Sequence, residues 1–543
     1  MDRNPAGDQT PNAPPENARA SLGKRAAIIS AGTFASRLLG LFRDMALAAL
    51  FHRSETDAFF VAFTIPNALR QLFAEGAISS AVVPILSGKI ATEGQDAARG
   101  FFARVRGVSL IALTLVTIGG VLFARQLCDL FATGYRADPE QFERTVMLTR
   151  IVFPYIFFMG TAALGMAALN ANRRFFVGAF APGLLNVAFL ICVFALPPIL
   201  VHYDIDRVYA IGVGALLGGA LQVIAQWPAL RRIGYLSRPI FFSGDGALRE
   251  LYRRILPLTF GLGVYYIDVI LSRRFLSELG TGAQSYFTWA FRICDFPQGI
   301  FIFALSAAAL PSLSALAAVH DHAEVRKTFA YGLKIALFVT IPASIAMIAI
   351  GEPVVALLFQ RGEFDAEASH QTARALMWQG GAIWTVAVVR QTVPVFFALG
   401  DTRTPVVTSA IDLLVFIAIA LAFRGSWGHV AISAAVAMSS AAQMVMLIAT
   451  LQLRLRGLEL VDIGKSAART AAASALGGLA GWSGAHFVPW NTGAFGRTAA
   501  GITAMIAFCV IFVIAAAAMK SPELALLSAA IRRRVRPISR VHP

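Results

Sequence analysis

Charge is scarce in this chain, and so are the groups that enzyme chemistry needs. Of its 543 residues only 14% are charged, against about 25% in soluble domains. The four cysteines, Cys128, Cys192, Cys294 and Cys509, are scattered through mostly apolar stretches. Without CxxC or Cys/His spacing they exclude a disulfide scaffold, a zinc ribbon and a dithiol redox centre, and they read as small core residues. The eight histidines are dispersed, and no HExxH, GxSxG or Walker loop occurs. The expectation is therefore a protein with no metal site, no cofactor and no enzymatic activity. Residues 1–23 are rich in Pro, Asn, Ala and charge but lack the apolar core of a signal peptide, so they read as a disordered cytoplasmic leader.

What the chain has in abundance is apolar length. Hydrophobic residues make up 57% of it and its mean hydropathy is +0.66, which implies an all-α polytopic membrane protein. Apolar windows long enough to cross a bilayer are expected at 26–51, 57–87, 103–124, 146–170, 178–200, 207–230, 253–276, 284–317, 329–350, 372–398, 405–423, 428–453, 466–488 and 496–518, about fourteen transmembrane helices at roughly 20 residues each. The net charge of +16 would suit a nucleic-acid binder, but its distribution argues otherwise. Most of the Lys and Arg fall in the leader, the tail and alternate loops, with Arg231, Arg232, Arg238, Arg249, Arg253 and Arg254 in one loop and Arg532, Arg533, Arg534, Arg536 and Arg540 in the tail. The positive-inside rule then puts both termini in the cytoplasm, which needs an even number of crossings. The basic tail is expected to meet anionic lipid headgroups, with no nucleic acid as partner.

Displacing the sequence against itself by about 228 residues brings similar segments into register, the mark of a two-part transporter. ISSAVVPILS at 78–87 falls on LSAAALPSLS at 305–314, Leu130-Phe131 with Gly134 falls on Leu358-Phe359 with Gly362, and ALNANRRF at 168–175 falls near ALGDTRTP at 398–405. The expected organisation is a leader at 1–23, a six-helix half at 24–235, a second at 236–456, two additional helices within 457–518, and a basic cytoplasmic tail at 519–543. Parallel repeats place a substrate site between the halves.

Four arginines, Arg37, Arg43, Arg70 and Arg292, sit inside these apolar stretches. A guanidinium near the bilayer centre costs about 2.5 to 3.5 kcal/mol on insertion scales. One alone could snorkel to the interface or pair with an acid, but the set points to a hydrated cavity that receives an anion. The first two helices also carry Asp44, Asp57 and Glu75, acids suited to holding the arginines between ligands. Asp268 and Asp412 remain ion or proton sites in outline, with structural pairing to Arg273, Arg274 or a neighbouring helix the favoured role.

The runs SRLLGLFRD, DAFFVAF, IPNALRQLFAEGAISSAVVPIL, FPYI, NRRF, AFAPGLLN, FPQGIFIFAL, ALPSLS, LFQRGEF and GDTRTPV occur in this order along essentially the whole chain. Together they resemble the MurJ (MviN) lipid II flippases, of the superfamily that includes multidrug and toxin exporters. The resemblance implies fourteen helices and carriage of lipid II, the undecaprenyl-pyrophosphate-linked peptidoglycan precursor, from the cytoplasmic to the periplasmic leaflet of the bacterial inner membrane by alternating access, for cell-wall biogenesis. Carried over by motif, it implies that substrate is bound by Ser36, Arg37, Arg43 and Asp44 in the first helix, Asp57, Arg70 and Glu75 in the second, and Arg292 and Asp295 in the eighth. Many relatives have Glu where this chain has Asp295. Some bind sodium through polar residues of the eleventh helix, where Phe416 and Ala420 stand here, so coupling to sodium is not expected. Membrane lipids surround the protein, and contact with cell-wall synthesis proteins is left open. The alternatives are an exporter of drugs or of another polyprenyl-linked saccharide, and a polytopic enzyme acting on polyprenyl phosphates.

Overall fold

A computed structural model describes residues 16–70, 79–241, 263–487 and 493–535, together with Arg253. Among the described residues there is no strand. In chain order the helices are α1 Glu16–Leu50, α2 Arg53–Arg70, α3 Ser79–Thr92, α4 Gly94–Leu122, α5 Ala124–Phe131, α6 Pro139–Val152, α7 Tyr155–Ala171, α8 Phe175–Ala195, α9 Pro197–His202, α10 Tyr209–Arg232, α11 Gly263–Ser277, α12 Ala283–Pro297, α13 Phe303–Ala318, α14 His322–Ala349, α15 Gly351–Phe359, α16 Ala366–Gly381, α17 Ile383–Ala398, α18 Arg403–Trp427, α19 His429–Arg454, α20 Leu460–Phe487, α21 Gly493–Ala518 and α22 Pro522–Val535.

Every apolar window read from the sequence falls on helix in its described residues. Nine stretches among them combine the length and apolarity of a membrane crossing. The described residues of the other windows are also largely helical. Breaks follow proline chemistry: Pro154 separates α6 from α7, having no N–H to continue the ladder. Pro297 leads from α12 into a π-helical turn at Gln298–Ile302 before α13 begins. Two stretches depart from the expected leader and tail. Helix α1 already starts at Glu16, because Glu, Ala, Arg and Leu after Pro15 are good helix formers with no breaker among them. The tail contains α22, whose Leu524 and Leu527 pack beside Phe338, Ala473 and Phe512, while Glu523 accepts from Ser466 Oγ at 2.6 Å and Ser521 Oγ at 2.8 Å.

The chain divides into two compact units: residues 1–44, 66–121 and 151–259, and residues 45–65, 122–150 and 260–543. These are cut differently from the repeat halves, since 45–65 and 122–150 cluster with the C-terminal half. In the first unit small residues let helices approach closely. Gly214 and Gly218 of α10 pack on Phe189 and Leu185 of α8, and Gly219 packs on Tyr155 and Phe158 of α7. A core of Phe101, Phe102, Leu164, Leu169 and Tyr235 lies at one end. The segment after α10 is pinned to α4 there, with Arg106 donating to the Tyr235 carbonyl and Ile240 N–H to the Ala103 carbonyl, both at 3.1 Å.

In the second unit α14, α17 and α19 pack around Phe329, Leu337, Phe396 and Leu447. Hydrogen bonds explain why 45–65 and 122–150 belong here. Gly134 N–H donates to Ser277 Oγ at 3.0 Å, and Glu363 N–H donates to the Ala49 carbonyl at 2.9 Å. A Cβ on Gly134 would collide with the Ser277 carbonyl and one on Gly362 with the Ala49 carbonyl. Gly362 also needs its positive φ of 58°. The two glycines matched by the sequence repeat thus do the same job within this unit, each seating a loop on the end of a helix distant in sequence.

Candidate functional site

In the first unit Arg43 is the centre of a polar cluster built on α1 and α8. Its Nε and one terminal nitrogen donate to a single Asp44 carboxylate oxygen at 2.9 and 2.6 Å, and the other terminal nitrogen donates to Asn186 Oδ1 at 3.0 Å. The guanidinium lies 5.2 Å from the Phe189 ring centroid. Arg43 is 8% exposed and Asp44 5%, so the charges meet in a desolvated setting where breaking the pair is expensive. Asn186 also donates from Nδ2 to the Ser36 carbonyl at 2.9 Å, tying α8 to α1 on both sides of Gly40. Ser36 and Arg37 are themselves half-buried. Arg70, at the end of α2, is half-buried and donates through Nε to Asn67 Oδ1 at 3.0 Å. Glu75 lies outside the described residues.

In the second unit Asp57 is 1% exposed. It accepts from Gly282 N–H at 2.6 Å, Ser285 N–H at 2.8 Å and Ser285 Oγ at 2.6 Å. These are the orphan donors at the start of α12, so a carboxylate from another helix serves as the cap that α12 lacks in its own sequence. Gly282, with φ of 94°, presents its N–H to the acid in a conformation other residues adopt only with strain. Around this joint Thr56 and Ser285 share a hydrogen bond at 2.7 Å, and Arg53 donates to Tyr286 Oη at 2.9 Å and to Asp365 at 2.7 Å. Helix α12 carries Arg292, which is exposed, and Asp295, which is half-buried, three residues apart on one face. The π-helical turn begins three residues after Asp295, and such turns recur at functional sites.

The structure thus brings Ser36, Arg43 and Asp44 together through Asn186, and ties Asp57 to the helix bearing Arg292 and Asp295. Two polar residues escaped the sequence reading. Asn186 sits within the quoted AFAPGLLN motif and is recognisable only by what it touches. Arg390 lies inside the apolar window of α17, half-buried, beside Gln391, whose Nε2 donates to Ser306 Oγ at 2.9 Å. The criterion that found the other four arginines would have found it.

Asp268 of α11 and Asp412 of α18 lie within electrostatic reach of each other, and Asp412 keeps one carboxylate oxygen buried without a hydrogen-bond partner. Arg273 donates to Gln284 and Thr288 at 2.9 and 2.8 Å. Phe416 and Ala420 are fully buried in an apolar cluster with Phe275 and Ile432. Among the described residues no group of three or more His, Cys, Asp or Glu is placed to hold a metal.

The family model for the lipid II flippase MurJ matches residues 47–501. A probable lipid II flippase MurJ from Vibrio cholerae is 32% identical over 440 residues, 79% of this chain and 83% of that protein. The lipid II flippase MurJ of Burkholderia cenocepacia is 34% identical over 383 residues, 70% of this chain and 73% of that one. Among solved structures, lipid II flippase MurJ in an inward closed conformation superposes with a TM-score of 0.73 at 22% identity, over 91% of this chain and 99% of that one. A multidrug-resistance MATE transporter in an inward-facing conformation gives 0.62 at 15% identity, over 78% and 94%, so the fold extends beyond one transport activity. With a family match over most of its length and relatives above 30% identity, this chain belongs to the MurJ lipid II flippase family.

Proposed function

We propose that this chain carries lipid II from the cytoplasmic to the periplasmic leaflet of the bacterial inner membrane by alternating access, crossing the bilayer fourteen times with both termini in the cytoplasm and performing no chemical step. The observation that carries the reading is the buried Arg43 cluster. A guanidinium has five N–H donors, and Asp44 and Asn186 engage three of them. Two are left for pyrophosphate oxygens, and Asp44 supplies a counter-charge that keeps the site stable between substrates. Ser36, Arg37, Arg70, Glu75, Arg292 and Asp295 complete the substrate-binding set, while Asp57 acts through α12, positioning Arg292 and Asp295. Moving about two negative charges outward across 100 mV, inside negative, gains roughly 4 to 5 kcal/mol, so membrane potential suffices as the driving force.

The test is depletion of the protein in cells with lipid II quantified in each leaflet. Inner-leaflet accumulation that the wild-type chain reverses and a chain carrying Arg43→Gln with Asp44→Asn does not supports the reading. Unchanged leaflet distribution on depletion overturns it.

A further inference from the structure

A cavity apart from the arginine set lies wholly within the second unit. It encloses about 440 Å³, inside the roughly 300–1,000 Å³ range of small-ligand sites. Its chemistry-bearing walls are Glu352, His370, Arg374, Met377, Trp482 and His486. His370 Nδ1 lies 3.4 Å from Glu352 Oε1. Arg374 stands one turn further along the same face of α16, steadied by a hydrogen bond to Gln371 Oε1 at 3.2 Å. Facing them on α20, His486 stacks on Trp482 with ring centroids 5.3 Å apart.

Two features narrow the ligand. The first is depth. Helices α14 and α20 have 28 residues each, about 42 Å at 1.5 Å per residue against a hydrocarbon core of about 30 Å, and the cavity sits where both end. That is headgroup level, where tryptophan is enriched. Trp482 is 55% and Met377 44% exposed, leaving apolar surface for acyl chains beside the opening. The second is charge. One fixed cation, Arg374, and one fixed anion, Glu352, flank the same opening. A singly charged ligand would leave one of them opposed, whereas a zwitterion satisfies both.

We propose that this cavity binds the headgroup of a zwitterionic phospholipid of the ethanolamine type, its phosphate against Arg374 and its ammonium against Glu352, with the acyl chains over Trp482 and Met377. The site is independent of the transport reading, because it shares no residue with the substrate set.

The experiment uses full-length protein, delipidated in detergent and titrated separately with dioleoyl phosphatidylethanolamine, dioleoyl phosphatidylglycerol and inorganic phosphate, with adducts counted by native mass spectrometry. The expected result is one saturable phosphatidylethanolamine adduct, weakened about tenfold in Glu352→Gln, in Arg374→Gln and in Ala373→Trp, which fills the cavity without altering charge. Phosphatidylglycerol binding equally well, phosphate alone occupying the site, or an adduct indifferent to all three substitutions would each overturn the proposal. Lipid retention is read without any flipping assay, so failure of the flippase reading would leave this result standing.

Discussion

Asp44 and Asp57 stand on successive helices, α1 and α2, and are both hidden, at 5% and 1% exposure, yet they are neutralised in opposite ways. Asp44 faces a guanidinium on its own helix. Asp57 faces peptide N–H groups at the start of α12. A guanidinium is a mobile charge that an incoming anion can share, so the Asp44 pair can open and close around a substrate. Helix-terminal N–H groups are fixed by the backbone, so Asp57 acts as a joint. Identical residue types therefore sit in two settings, a charge pair and a helix cap, and the division lies in their partners.

The sharpest break of that comparison is at Arg43. Arg43→Ala leaves Asp44 buried without its cation, at a cost of about 3 to 5 kcal/mol, and should reduce both the membrane level of the protein and its flipping. The informative variant is the neutral pair Arg43→Gln with Asp44→Asn, which removes both charges and keeps hydrogen-bonding shape. We expect near-normal membrane levels by immunoblot and no complementation of a depleted strain. Complementation by the neutral pair would mean the guanidinium grips no phosphate.

At Asp57 the expected pattern is reversed. Asp57→Ala strips three hydrogen bonds from the start of α12 and should lower the thermal midpoint of the purified protein, at a cost of about 1 to 3 kcal/mol. Asp57→Asn should restore part of it, because the amide oxygen can keep the two Ser285 bonds while its NH2 cannot accept from Gly282 N–H. A stable Asp57→Asn protein that no longer flips lipid II would move Asp57 into the class of Asp44.

Asn186 bridges Ser36 to Arg43 without carrying charge, so its removal should be milder. Asn186→Ala should lower the flipping rate roughly fivefold, corresponding to about 1 kcal/mol, with little change in protein level. A loss as complete as that of the neutral pair would show that the amide contacts substrate directly.

Much of this was legible in residue order and composition. Hydropathy located the helices, since a bilayer demands about 20 apolar residues per crossing, and the repeat register paired Gly134 with Gly362 before either contact could be seen. Intramembrane arginines flagged Arg43 because their cost is a property of residue type. The partner of a buried acid was not legible. Asp44 has Arg43 beside it in the sequence, but nothing local shows what holds Asp57, because its donors lie more than two hundred positions away on α12, and Asn186 is an ordinary amide until α8 folds against α1. The start of α1 at Glu16 is not legible in composition, because the prolines up to Pro15 give the whole leader the signature of irregular chain.

The smallest effect is expected where an acid caps a helix outside the membrane. Asp401, in the GDTRTP turn before α18, accepts from the Thr404 and Arg403 N–H groups at 3.0 Å and from Thr404 Oγ1 at 2.8 Å, and it pairs with Arg454. The Thr404 backbone bond leads, with the Thr404 hydroxyl, Arg454 and the Arg403 N–H adding to it, in holding its carboxyl below the usual carboxylate value. A depressed folded-state value means the unfolded chain binds the proton more readily. The stabilisation is therefore complete above the ordinary carboxylate pKa near 4 and is lost as pH falls through the lower folded value. Between pH 7 and pH 5 the thermal midpoint should respond little to this group, and below about pH 4 it should fall. Asp401→Asn should flatten that acid limb while changing the neutral midpoint less than Asp57→Ala does. An acid limb of equal steepness in Asp401→Asn would show that other carboxylates set it, and a larger loss at neutral pH than Asp57→Ala would reverse the ranking of the fully buried cap over the half-buried one.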